Sequence, residues 1–271
     1  MPNTSEAMGW VRPYYTKAGD YWGPTGVEQV HLDRLRILEA ICGANPKRIL
    51  ELGAGTGEAA AVMADAGHDV VAVEFSTPRV RNLKLLSTAA TKGSLNAIEG
   101  EVYVIAISGE FDVVCYWDGF GVGSDHDQRR LLRRISREWL KRDGLLLMDV
   151  FSPYRWVQET GVEWNLDRNH PSHRFRQRRR FGFDPVNGCF KDTWCPIDDE
   201  TGQCDEAMAI TQKIRCYNPA DFQLLLEGTC LTLGAIYVDG EPLDFKSSDV
   251  TADHPLWRAW SYLAVVKPTP Q

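Results

Sequence analysis

The chain has 271 residues, 44% hydrophobic and 25% charged, with a net charge of −7, an ordinary globular balance with room for one large α/β unit and an insertion. The acidic balance argues against a general nucleic-acid binder, and no apolar run approaches the length needed to span a bilayer. The opening Met1-Pro2-Asn3-Thr4-Ser5-Glu6 lacks the basic start and apolar core of a secretory leader, and seven cysteines with no Cys-x-x-Cys pair suit reduced thiols and a cytoplasmic location.

Residues 1–25 are rich in aromatic and turn residues, among them Trp10, Tyr14, Tyr15, Tyr21 and Trp22. Residues 26–43 read as an amphipathic helix through Val27, Val30, Leu35, Leu38 and Ile41, stopped by Asn45-Pro46. A strand over 48–52 runs into a glycine-rich turn and a helix over 57–66. Gly67-His68-Asp69 turns the chain into a second strand over 69–74, and Thr77-Pro78 opens the next helix. The third strand is either 95–98, with Glu99-Gly100-Glu101 at its tip, or 102–107. Strand four is Phe111 to Tyr116, followed by the loop Trp117-Asp118-Gly119-Phe120-Gly121. Asp125 can cap a helix to about Leu140, and the arginines at 129, 130, 133, 134 and 137 read as its solvated side. Lys141-Arg142-Asp143-Gly144 reads as a turn before strand five, Leu145 to Val150, which is apolar enough to be buried on both faces.

Residues 151–217 break this alternation. They hold no convincing long helix, and 172–183, 188–195 and 205–217 read as antiparallel strands with turns at Asp184–Gly188 and Asp198–Gly202. A helix over 219–228, a strand over 231–238 and a last strand over 262–266 restore the pattern. Cys189, Cys195, Cys204 and Cys216 gather in the insertion, but the 5, 8 and 11 residues between them fit no zinc-ligand spacing, and no metal is expected.

The chemistry concentrates in Glu51-x-Gly53-x-Gly55-x-Gly57, between a strand and a helix, with Glu74 ending the next strand seventeen residues past Gly57. A dinucleotide site needs a different glycine spacing, so that a helix N-terminus can meet a pyrophosphate. Glu51 would repel a pyrophosphate but suits a ligand carrying an ammonium and a sulfonium. The glycines let the backbone pass close under it, and Glu74 can accept both ribose hydroxyls.

These residues resemble the class I S-adenosylmethionine-dependent methyltransferases, strongly over 45–150 and weakly over 218–267. The resemblance implies a doubly wound α/β sheet of strand order 3-2-1-4-5-7-6 and S-adenosyl-L-methionine as cofactor. By position, Gly53, Ala54, Gly55 and Gly57 would lie against the methionine portion, with Glu51 beside them. Glu74 would hold the ribose, with Phe75 next to it, and Glu101 would reach the adenine amino group while Val102 flanks the ring. Trp117 and Asp118 would close over the methionine end, and N-terminal tyrosines such as Tyr21 would form a lid. The implied organisation is a lid and helix over 1–44, the cofactor-binding domain over 45–150 and 218–271, and an antiparallel, substrate-side insertion over 151–217.

The expected reaction is in-line methyl transfer to a nitrogen or oxygen of a small molecule, with no nucleic-acid or membrane partner and an open oligomeric state. Alignment in a dry site carries most of such a reaction, and a base matters chiefly for a hydroxyl acceptor. The base candidates are Asp118, Asp149, Glu163, His126, His170 and His173. His170 comes first for a hydroxyl, and Asp118 as an orienting carboxylate for an amine. Tyr154, Trp156, His173, Arg174 and Arg176 are the acceptor-side candidates. Arg174, Arg176, Arg178 and Arg180 would share one strand face, facing either an acidic substrate or acids such as Asp198, Asp199 and Glu200. The alternatives are an NAD-dependent oxidoreductase of similar fold, an RNA or protein methyltransferase, and a catalytically silent cofactor-binding protein.

Overall fold

The computed structural model describes residues 9–90, 92–167, 174–246 and 251–269. Two helices, α1 (Val11–Tyr21) and α2 (Gln29–Cys42), precede an alternating stretch: β1 (Arg48–Leu52), α3 (Glu58–Asp65), β2 (Asp69–Glu74), α4 (Thr77–Ser87), β3 (Ser94–Glu99), β4 (Phe111–Tyr116), α5 (Asp125–Arg134) and β5 (Leu140–Phe151). A short helix α6 (Pro153–Gln158) leads into β6 (Glu163–Leu166), β7 (Gln177–Asp184), β8 (Cys189–Pro196) and β9 (Ile210–Arg215). The chain then closes with α7 (Pro219–Leu226), β10 (Leu231–Val238), β11 (Glu241–Leu243) and β12 (Ser261–Pro268). No described helix is long and apolar enough to cross a membrane.

The large sheet has the order β3-β2-β1-β4-β5-β12-β10-β11. Strands β1 to β5 run parallel, and β12 is antiparallel to both β5 and β10. With β10 as sixth and β12 as seventh strand, the expected order is matched in part: β11 adds an eighth strand at the edge, through the two-residue turn Asp239-Gly240, both at positive φ, a hairpin signal the sequence reading passed over.

The apolar runs of the central strands serve two cores at once, because successive side chains point to opposite faces. Leu50, Leu52, Val71, Val73, Val114, Leu146 and Met148 pack on the side of α5 and α7, against Leu131, Leu132, Phe222 and Leu225. Their neighbours Ile49, Val70, Ala72, Val113, Cys115 and Leu147 pack on the side of α2, α3 and α4, against Leu38, Ala60, Met63 and Leu83. Burial on both faces is what a parallel sheet between two helical layers requires.

Three local readings are corrected, and one left open is decided. Ser124, not Asp125, caps α5 in a reciprocal box with Asp127, and Asp125 instead accepts from the Tyr217 hydroxyl at 2.7 Å and Arg215 Nε at 3.1 Å. The α5 arginines are not simply solvated: Arg129 and Arg133 donate to the carbonyls of Leu225 and Gly228 at 3.3 and 3.2 Å, and Arg134 to those of Val102 and Ile105 at 2.8 and 2.6 Å. Residues 141–144 belong to a continuous β5 whose register against β4 shifts between Phe111 and Val113, where Lys141 Nζ meets Asp112 Oδ1 at 2.7 Å. Strand three is the earlier of the two alternatives, Ser94–Glu99.

The insertion forms a second, antiparallel sheet in the order β6-β7-β8-β9, with β6 as a fourth strand beyond the three expected. It has its own core: the Trp156 ring stacks on Phe190 with centroids 3.7 Å apart, and Phe181, Ile214 and Cys216 close around them. Tyr14, Ala18 and Tyr21 of α1 pack against Ile210 of β9, so the N-terminal helix bridges from the insertion to the mouth of the large sheet.

Candidate functional site

A cavity of about 600 Å³ opens beyond the carboxyl ends of β1, β2 and β4, where open α/β sheets hold their ligands. Its floor is the loop after β1. Gly53, Gly55 and Gly57 all have positive φ, 63°, 58° and 95°, a region that costs residues with a Cβ. A Cβ at Gly53 would sit 3.0 Å from the Tyr116 ring, and one at Gly57 would drive into Leu83. The loop is pinned by the Ala54 N–H on the Val73 carbonyl at 2.9 Å.

Two buried acids flank this floor. The Glu74 carboxylate accepts the N–H groups of Gly55 at 3.0 Å and Ser76 at 2.8 Å, so it fastens the glycine loop to β2. Burial raises its carboxyl above the ordinary range, with Arg79 and these N–H groups opposing. Glu51 is 2% exposed and its Oε2 has no hydrogen-bond partner among the described residues. Burial, together with the charges of Glu58 and Glu74 and against that of Arg34, pushes its carboxyl up to about 8. A buried acceptor left unpaired costs free energy, and a cationic ligand group in the cavity removes that cost.

The opposite wall comes from α1, α2 and the loops after β3 and β4. Arg34 ion-pairs with Asp118, lies 3.6 Å from Asp149 Oδ2 and stands 5.4 Å over the Trp117 ring. Asp118 takes a positive φ of 53° and donates its N–H to Asp149 at 3.2 Å. Burial and the Asp118 charge push the Asp149 carboxyl up to about 7, with Arg34 opposing. His31 Nδ1 accepts the Glu28 N–H at 2.9 Å, and burial lowers its pKa. The neutral ring therefore carries its hydrogen on Nε2 and acts as a donor rather than a base. On α1, Tyr15 meets Phe75 edge to face at 5.5 Å, and Arg12 pairs with Glu101.

The structure thus gathers Glu51, Gly53, Ala54, Gly55, Glu74, Phe75, Glu101, Val102, Trp117 and Asp118 around one cavity. Gly57 sits just behind it, at the start of α3. Tyr21 does not line it: that ring is fully buried, its hydroxyl donates to the Met208 carbonyl, and Tyr15 is the α1 tyrosine at the cavity. Tyr154 packs on Trp257 at 4.7 Å and Trp156 in the insertion core, and neither lines the cavity.

Arg174 and Arg176 precede β7 rather than sharing its face, and they too lie off the cavity. Arg176 is 3.5 Å from Asp167, Arg178 3.8 Å from Glu163, and Arg180 holds Glu206 at 2.7 Å. The arginine row therefore meets acids of this chain, though not the ones expected. His126 is exposed at the start of α5. His170 and His173 lie outside the described residues. Sequence reasoning missed Arg34, His31 and Arg12. Nothing local distinguishes Arg34 from Arg36 two residues on, and only the docking of α2 selects it.

A family model for a methyltransferase domain matches residues 28–182, more than half of the chain. The chain belongs to that family and, with this sheet and glycine loop, to the class I S-adenosylmethionine-dependent methyltransferases. Over 117 residues it is 31% identical to a cypemycin N-terminal methyltransferase from Streptomyces sp, a match covering 42% of this chain and 46% of that protein, under half the relative's length. The CcbJ methyltransferase from Streptomyces caelestis superposes with a TM-score of 0.72 at 18% identity, covering 94% of this chain and 96% of that one. The sugar N-methyltransferase KedS8 from Streptoalloteichus sp gives 0.58 at 15% identity, covering 98% and 96%. The glycopeptide N-methyltransferase MtfA in complex with S-adenosyl-L-methionine gives 0.55 at 17%, covering 88% and 87%. At these identities the superpositions speak for the fold.

Proposed function

We propose that the protein methylates an amine nitrogen of a small molecule, using S-adenosyl-L-methionine held in the cavity above the glycine loop. The observation that carries this reading is Glu51, a buried acid that lines a cavity framed by glycines and keeps one oxygen without a hydrogen-bond partner among the described residues. In this reading Glu51 receives the cofactor ammonium, Glu74 the ribose hydroxyls, and Glu101 the adenine amino group between Phe75 and Val102. The cofactor supplies a methyl group on a sulfonium, a good leaving group that departs as a neutral thioether.

The chain's own residues then do little covalent work. They align the acceptor, exclude water and manage one proton. An attacking amine must be neutral, and after transfer the new ammonium sheds a proton. Asp118 follows β4 and Asp149 lies near the end of β5, and burial with the Asp118 charge pushes the Asp149 carboxyl from the ordinary carboxylate range up to about 7, near the pH at which it can take that proton. His31 already spends one nitrogen on a backbone N–H, so the described cavity offers carboxylates rather than an imidazole base. The similar proteins named for N-methylation, among them KedS8 and MtfA, support an amine over a hydroxyl. Seven unpaired cysteines support a reducing, cytoplasmic setting.

Calorimetry with S-adenosyl-L-methionine, its demethylated product and NAD tests the cofactor, and tighter NAD binding overturns it. A methyl-transfer assay on paired amines and their hydroxyl isosteres tests the acceptor, and turnover confined to hydroxyl compounds overturns the amine.

A further inference from the structure

Away from the cavity, three side chains of metal-ligand type converge at the far end of the insertion. Cys195 lies near the end of β8, and the chain turns back directly after it. Asp198 closes the turn by accepting the N–H groups of Glu200 at 3.0 Å and Thr201 at 2.7 Å. Ile197 then pairs antiparallel with Cys204, and the Asp205 N–H bonds the Pro196 carbonyl at 2.9 Å. This register sets Glu206 opposite Cys195 and Cys204 diagonal to it, all on one face. Both sulfurs and a Glu206 oxygen lie within 4.8 Å of one another.

We propose that Cys195, Cys204 and Glu206 form a zinc site, separate from the methyl-transfer cavity. Two thiolates favour soft or borderline ions, and the carboxylate favours zinc over monovalent copper. Tetrahedral zinc with bonds of about 2.3 Å holds its sulfurs about 3.8 Å apart, so the ligands close by about 1 Å or less. Arg180 grips both Glu206 oxygens, at 2.9 and 2.7 Å, which orients that ligand as outer-shell partners do. Its charge also balances the set: two thiolates and a carboxylate against a dication and a guanidinium sum to zero.

Cys195 is buried, Cys204 half-buried and Glu206 exposed, so solvent reaches the fourth position. Burial and the neighbouring Cys204 and Glu206 push the Cys195 thiol up to about 12, with Arg180 opposing. Zinc therefore binds with release of the Cys195 thiol proton to solvent. The cysteine spacing hides this site because its third ligand is a carboxylate. The clip would fasten the end of β8 to the segment carrying Met208, whose carbonyl accepts the Tyr21 hydroxyl, and so brace α1 from behind.

The test uses the full chain, stripped of metal under reducing conditions. One equivalent of Co²⁺ should give thiolate-to-cobalt charge-transfer absorption with tetrahedral d–d bands, and Zn²⁺ should abolish that signal and raise Tm. Cys195→Ser and Cys204→Ser should each remove the charge-transfer band or halve it, and Glu206→Gln should weaken Co²⁺ at least tenfold. Cys230→Ser is the control and should change nothing. Should Cys195→Ser fail to fold, Cys204→Ser, at a more exposed position, carries the test. The proposal is overturned if the reduced chain shows no charge-transfer band. It is equally overturned if Cys204→Ser leaves the band at full intensity, or if the two thiols are found joined as a disulfide and take up no metal once reduced.

Discussion

Arg34 and Asp118, 84 residues apart, form an ion pair at the edge of the cavity, and the same guanidinium faces Asp149. One cation therefore holds two neighbouring carboxylates in place and lowers the cost of ionising Asp149.

Removing that cation should move the pH profile. In Arg34→Met the Asp149 carboxyl loses its opposing charge and keeps the Asp118 repulsion, so its pKa rises from about 7. The acidic limb of kcat/KM against pH should shift upward by about 1 unit or more, with Arg34→Lys in between. An unmoved limb would separate Asp149 from the reaction.

Glu51 sets a stability trend of unusual sign. Its folded pKa of about 8 lies above that of the unfolded chain, so the folded state holds the extra proton. Stability of the cofactor-free protein is then fully present below about pH 4 and falls as pH rises toward 8, at up to about 1.4 kcal/mol per unit. Glu51→Gln should flatten the slope of Tm against pH over that window and yet bind S-adenosyl-L-methionine at least tenfold more weakly. A wild-type Tm that climbs through the window contradicts the assignment.

Glu74→Ala should weaken cofactor binding by about 1.5–3 kcal/mol, the range for hydrogen bonds to a charged group. The fold should survive, since the acid sits at a strand tip. Because the carboxylate also holds the Gly55 and Ser76 N–H groups, the loop should exchange its amide hydrogens faster in the variant. Titration calorimetry and hydrogen exchange read the two effects separately.

Gly57→Ala adds a clash with Leu83 to the cost of a positive φ. Gly26, also at positive φ, has nothing near its would-be Cβ. Gly26→Ala should therefore cost about 1–2 kcal/mol, and Gly57→Ala clearly more. Urea denaturation compares them, and equal losses would mean that Leu83 yields freely.

The parallel sheet and its glycine loop were legible because both are local patterns. Ile49, Leu50 and Leu52 flank only the single acid Glu51, and Val70 to Val73 are apolar without a break, a pattern that fits a doubly buried strand, and the loop motif fixes where the ligand side lies. The α1 wall was not legible in the same way. Tyr14, Tyr15 and Tyr21 are alike as sequence, and only docking against Ile210 sends Tyr14 and Tyr21 inward and leaves Tyr15 at the cavity. The arginine row misled for a related reason. Alternation was visible, but the acids that meet it sit on β6 and beyond β8, at positions a linear reading cannot bring together.

The hairpin strand β11 has a consequence for how copies of this chain can meet. A bare strand edge invites another chain to add to the sheet. Here the edge is three residues long, begins with a charged Glu241 and carries Pro242, which has no N–H to offer. Such an edge is a poor template, so sheet-to-sheet fusion at this flank is discouraged by the chain's own chemistry.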